Sequence, residues 1–128
     1  MWLAQLTVCA APTDDGPCEA CGPCRMTRSL EHPDVHWYFP LPRPKAASKE
    51  KLADALEAAR YQELSEIRER SLVPSWTDDV RGLYLGTVTN LRRSAAKRPT
   101  MADGPVFLVG QAELLVPQEA SPEAANAL

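Results

Sequence analysis

Lysine never follows glycine in this 128-residue chain. Its six glycines stand at 16, 22, 82, 86, 104 and 110, so there is no Gly-x4-Gly-Lys-Ser/Thr loop to cradle a phosphate. Long apolar runs are missing too. Hydrophobic residues make up 45% of the chain, but no run approaches the roughly 20 residues that span a bilayer, and a soluble single domain, or part of one, is expected with no membrane contact. Positive charge is not in excess. At a formal net charge of −3, made more negative by any thiolates, the chain is no polycation that binds nucleic acid by charge alone. Any DNA contact must be local or supplied by partners. Internal repeats and low-complexity tracts are absent. So are a nucleophile paired with a base and carboxylates paired on a defined face, which leaves an enzyme as the weakest functional class. The apolar start, Met1 to Ala11, lacks the basic leader and cleavage context of a secretory signal.

What the chain does have is concentrated. All four cysteines fall within sixteen residues, as Cys9-x8-Cys18-x2-Cys21-x2-Cys24. Thiolates three residues apart in a tight turn point at one centre, and a fourth returning across a loop closes a tetrahedron suited to zinc. Pro12, Asp14, Asp15, Gly16 and Pro17 form turns, and Gly22-Pro23 folds the backbone between the last two ligands. Four protein ligands leave no open position, so the implied Zn²⁺ is structural. Three rivals stand beside it. An iron-sulfur cluster matches Cys18, Cys21 and Cys24, but Arg28-Ser29 stand where the fourth ligand and its proline belong. A dithiol redox pair does not explain two further thiols in register. Disulfides require an oxidising compartment that nothing at the N-terminus indicates.

The remainder reads as alternating helices and strands. Residues 1 to 8 look like the last turns of an amphipathic helix, with Leu3 and Leu6 at helical spacing and no preceding cap. A short helix is expected from near Cys24 to Leu30, stopped before Pro33. Asp34 to Phe39 alternates as a strand, Val35, Trp37 and Phe39 on one side, His36 and Tyr38 on the other. Pro40, Pro42 and Pro44 end it and rule out further ladder pairing. His32 and His36 lie near the thiols, but with four cysteines present they read as turn and strand-face residues. Ser48 caps a long helix to Arg70, with an apolar stripe of Leu52, Leu56, Ala59, Leu64 and Ile67. Its remaining charges, Arg60 among them, form a solvated face. Residues 74 to 86 form a loop, after which Thr87 caps a second helix with Val88, Leu91 and Ala95 inward. Arg92, Arg93, Lys97 and Arg98 sit in its last turns, complementing the helix dipole and making the one compact basic patch. Val106 to Val109 reads as a strand buried on both faces, and Ser121-Pro122-Glu123 as a helix start. Two strands separated by helices imply parallel pairing in an α/β sheet that needs neighbours on each side.

The thiol spacing, His32-Pro33-Asp34-Val35-His36-Trp37-Tyr38-Phe39, the Val88 to Lys97 helix, Val106 to Val109 and Ser121-Pro122-Glu123-Ala124-Ala125-Asn126-Ala127-Leu128 together resemble the ATPase-like domain of bacterial clamp-loader subunits. The likeness is closest to the delta-prime subunits of DNA polymerase III, with gamma/tau as the relative. The resemblance implies a partial AAA+ domain, a P-loop NTPase-like parallel sheet with helical crossovers over residues 1–128. It would be truncated at both ends and carry the zinc module at 9–24. It implies that Cys9, Cys18, Cys21 and Cys24 are the module's ligands. It further implies that the strand ending at Val109 leads into positions where active members carry an Asp-Glu pair for Mg²⁺ and water. Here those positions hold Gly110 and Gln111, and Glu113 lies two residues too far. The phosphate loop of the family would precede Met1, and its arginine finger and collar would follow Leu128, so ATP should be neither bound nor hydrolysed. The implied role is cytoplasmic and non-catalytic: with gamma/tau and delta, helping load the sliding clamp onto primed DNA for a DNA-directed DNA polymerase. The alternative is a free-standing zinc adaptor that binds protein or nucleic acid through the 92 to 98 patch.

Overall fold

A computed structural model describes residues 1–45, 48–70 and 80–115. Among them lie α1 (Trp2–Val8), α2 (Gly22–Arg28), β1 (Val35–Tyr38), β2 (Leu41–Pro42), α3 (Lys49–Glu69), β3 (Arg81–Gly82), α4 (Leu85–Ala95), β4 (Val106–Val109) and a 3-10 turn at Ala112–Leu115. The helix expected from Ser121 falls outside the described residues. No described helix is long and apolar enough to cross a membrane.

β1 pairs with β4. The Asp34 carbonyl accepts from the Val106 N–H and the Tyr38 carbonyl from the Gly110 N–H, both at 2.8 Å. Equal steps along both strands in the same direction make the pair parallel, and α3 and α4 lie in the crossover between them, as a parallel connection requires. All four β4 residues are half-buried, not buried on both faces as the apolar run predicts. The reason is topological: among the described residues β1 is its single hydrogen-bonded neighbour, and a strand buried on both faces belongs to a wider, covered sheet. The prolines after β1 do not stop all pairing. Leu41 and Pro42 pair antiparallel with Gly82 and Arg81, a short two-stranded ladder of the edge kind in which proline is tolerated.

The chain divides into two compact units, Met1–Trp37 with Lys97–Leu108, and Tyr38–Ala96 with the described residues from Val109. The first is centred on Ala4, Val8 and Val35, against which Trp37, Ala102, Val106 and Leu108 pack. The alternation of β1 and β4 supplies these contacts, since Val35 and Trp37 share one face while His36, on the other, stacks on Phe107 at 5.0 Å. α2 begins at Gly22 and ends at Arg28, earlier than the residues expected. Leu30 takes a left-handed φ of 59°, while the Glu31 N–H bonds the Met26 carbonyl at 2.8 Å and the Leu30 N–H the Thr27 carbonyl at 3.1 Å. That bond pair is a Schellman stop, here made without glycine. Asp34 closes the unit. Its carboxylate accepts the N–H groups of Thr100 and Met101 at 2.6 Å and of Ala102 at 2.8 Å, pinning the turn that leads into β4.

The second unit is a helix pair on a small sheet. The Ser48 hydroxyl caps α3 by accepting the Lys51 N–H at 3.2 Å, as Ser before a helical pattern predicts. Its buried positions are Ala53, Leu56, Arg60 and Leu64, a stripe that includes an arginine. Arg60 lies over the Tyr38 and Tyr61 rings at 4.8 and 4.5 Å and pairs with Glu57 at 2.5 Å. It is thus a buried packing residue, not part of a solvated face, because its flat cation is matched by aromatic faces and a carboxylate. α4 starts at Leu85 with Tyr84 as its cap residue, so Thr87 is inside the first turn. Gly86 approaches α3 closely: a Cβ there would stand 2.9 Å from Leu56 Cδ1 and 3.1 Å from Ala53 Cα. One turn on, the Asn90 amide donates to the Ala53 carbonyl at 2.6 Å. Ala95, expected inward, is exposed, because the buried face runs through Gly86, Thr87, Val88, Asn90 and Ser94.

Candidate metal centre

Two helix ends and the loop between them bring the cysteines together. Cys9 caps the C-terminus of α1 with extended φ/ψ of −66° and 128°, which turns the chain out of the helix. Thr13 and Gly16 then exchange N–H···O bonds of 2.8 and 3.0 Å, closing a tight reversal that Gly16 permits with a φ of 132°. Cys21 caps the N-terminus of α2, with proline in the first turn, and Cys24 sits in that turn, fully buried. The four sulfur atoms all lie within 4.8 Å of one another, and Cys9 Sγ is 4.0 Å from Cys21 Sγ. A tetrahedron with Zn–S bonds of about 2.3 Å requires sulfurs about 3.8 Å apart, so small inward movements complete it. All four thiols are free, and the sulfurs of Cys9 and Cys21 lie well beyond the roughly 2 Å of a disulfide.

Backbone amides point at the sulfurs. The Cys18 N–H donates to Cys9 Sγ at 3.3 Å and the Cys21 N–H to Cys18 Sγ at 3.4 Å. The Cys18 amide, helped by that of Ala11, holds the Cys9 thiol below its ordinary value. The Cys24 amide, then that of Ala10, draws the Cys21 thiol down to about 6. Cys24 goes the other way: burial, reinforced by bonds from Cys21 and Cys9, pushes it up to about 12. A dication would resolve this disparity, because its charge would displace the Cys24 proton while the amides already favour thiolate at Cys9 and Cys21. The donor set therefore fits a four-coordinate soft metal. Such an ion, held by Cys9, Cys18, Cys21 and Cys24, would cross-link the two helix ends and leave no open position for substrate.

His32 and His36 do not join this cluster, which is the metal-ligating group found among the described residues. His32 is buried and its Nδ1 accepts the Asp34 N–H at 3.2 Å; His36 is the residue stacked on Phe107. Gly110 and Gln111 follow β4 directly. Gln111 has a left-handed φ of 52° and its carbonyl accepts the Leu114 N–H at 2.9 Å, opening the 3-10 turn that contains Glu113. The basic patch is not one helical surface. α4 ends at Ala95, so Lys97 and Arg98 lie beyond it and in the other compact unit. Arg92 is exposed on α4, and exposed Arg93 pairs with Asp54 of α3 at 3.2 Å. The sequence overlooks Gln5, a buried carboxamide whose Nε2 donates to the Cys24 carbonyl at 3.1 Å. Its one signal is a polar residue at helical spacing among Trp2, Ala4 and Val8.

The family model described as DNA polymerase III, delta subunit, matches residues 1–128. The chain belongs to that family. This gives it a clamp-loader-type role in replication and partnership with other subunits of the replication complex. No curated protein and no solved structure matches the chain. In this member of the DNA polymerase III delta-subunit family, the four thiols stand in an α/β frame close enough together to hold a metal ion.

Proposed function

We propose that the chain acts as a delta-prime-type component of the clamp loader, a cytoplasmic and non-catalytic subunit. In this reading residues 1–128 form part of an AAA+ domain and residues 9–24 its zinc module. It helps load the sliding clamp onto primed DNA through contacts with gamma/tau and delta, with Zn²⁺ held by Cys9, Cys18, Cys21 and Cys24 and no ATP bound. The match over the full 128 residues carries the reading. One feature supports the finer assignment: β4 leads into Gly110 and Gln111, neither able to bind Mg²⁺ or prepare water as an Asp-Glu pair does.

Co-expression with gamma/tau and delta subunits, followed by size-exclusion chromatography and an ATPase assay, tests this. The chain is expected to co-elute with the other subunits and to show no nucleotide turnover by itself. Failure to associate, or turnover by the isolated chain, contradicts the proposal.

A further inference from the structure

α1 touches both limbs of the metal loop. Gln5, 5% exposed, reaches nineteen residues along the chain to the carbonyl of Cys24. Cys9 is the residue that ends α1 and Cys24 lies in the first turn of α2. This one bond therefore ties the helix delivering the first sulfur to the helix delivering the last. Trp2, one turn before Gln5 and on the same face, lays its ring against Gly16, where any Cβ would collide with it. Gly16 belongs to the limb between Cys9 and Cys18.

A buried carboxamide costs desolvation unless bonded, and an apolar side chain at this position avoids that cost. The bond that offsets it goes to the backbone of a metal ligand. The Gln5 carbonyl is also within 4.0 Å of Cys24 Sγ, so main chain and side chain of one residue both meet the same cysteine. We propose that Gln5 is a positioning residue of the metal centre, setting the Cys9 to Cys24 separation before the ion enters, with Trp2 steadying the adjoining limb. The proposal rests on the reading that the four thiols bind zinc. Outer bonds that orient ligands change metal affinity by about 10- to 100-fold when removed.

The test compares the full chain with Gln5→Met, which keeps the length and apolar stem and removes the donor. Zinc affinity is read by competition with a chromophoric chelator, and release by its rate under excess chelator. Cobalt(II) substitution then reports ligand geometry through the visible absorption bands. The variant should bind zinc about 10-fold more weakly or worse, release it faster and show displaced cobalt bands, while amide exchange in α3 and α4 stays unchanged. Wild-type affinity and an unaltered cobalt spectrum in Gln5→Met overturn the proposal. If that variant does not fold, Gln5→Asn, a neutral carboxamide one methylene too short to reach the Cys24 carbonyl, decides: zinc bound about 10-fold more weakly supports the positioning role, and wild-type affinity overturns it. A wild-type chain that binds no zinc refutes the underlying thiol reading itself and the proposal with it, so the two failures are distinct.

Discussion

At the scale of single residues, the most consequential polar group outside the thiols is Asp34. Burial alone would raise its pKa, but the amides of Thr100, Ala102 and Met101 outweigh burial and hold it below the ordinary carboxylate value. Asp34→Asn leaves at least one of these donors facing an amide nitrogen. It should cost about 2 kcal/mol by urea unfolding, in the range for hydrogen bonds to a charged partner, with faster amide exchange confined to residues 100–102. Its neighbour His32 is lowered by burial, with the Asp34 charge opposing. Both shifts are downward. A histidine held neutral contributes fully above its ordinary value of 6.5 and progressively less as pH falls below it. Asp34 contributes fully above 3.8 and loses its contribution only further into acid. The difference in stability between wild type and His32→Asn, which retains an acceptor for the Asp34 N–H but does not titrate, should therefore shrink as pH is lowered from 7 to 5. A pH-independent difference would show that His32 does not titrate with folding. Nothing in the sequence marks the sixty-six residues that separate Asp34 from Thr100 as a contact. A carboxylate beside a proline predicts a local turn, and the long-range bond appears only in the fold.

At the scale of elements, the helix pair of the second unit depends on one absence. Gly86 lets α4 approach the backbone of Ala53, and Asn90 uses that closeness to reach the Ala53 carbonyl. Gly86→Val must push Leu56 and the α3 backbone apart. About 1–3 kcal/mol of stability should be lost to overpacking, together with protection of the α3 amides around Ala53; unchanged thermal unfolding would refute the close approach. Glycine at the edge of a predicted loop gives no hint of this, and the sequence pattern alone predicts loop through residue 86. Element type was the legible part of the sequence. Apolar alternation marked β1, because a period of two is visible in four to six residues, and a short continuous apolar run bounded by Gly104-Pro105 and Gly110 marked β4. Ser48 located the start of α3 through its capping chemistry. Arg60 was illegible: its burial depends on Tyr38, far along the chain, offering an aromatic face. The continuation of the basic cluster on α4 failed similarly, since Lys97 and Arg98 favour a helix C-terminus without requiring that the helix reach them.

At the scale of the whole molecule, the thiol spacing was the most informative feature. Cys-x2-Cys-x2-Cys limits the reach of three sulfurs, and the described fold brings Cys9 into the same cluster from the end of α1. Family membership gives the chain its context in replication. Four sulfurs that hold one ion would organise the first unit around the metal. The direct measurement is metal analysis of the purified full chain by native mass spectrometry, paired with amide exchange before and after chelation. The expected result is one zinc per chain, with the amides of Cys18, Cys21 and Cys24 losing protection when zinc is removed. A chain that carries no metal and keeps those amides protected would contradict it.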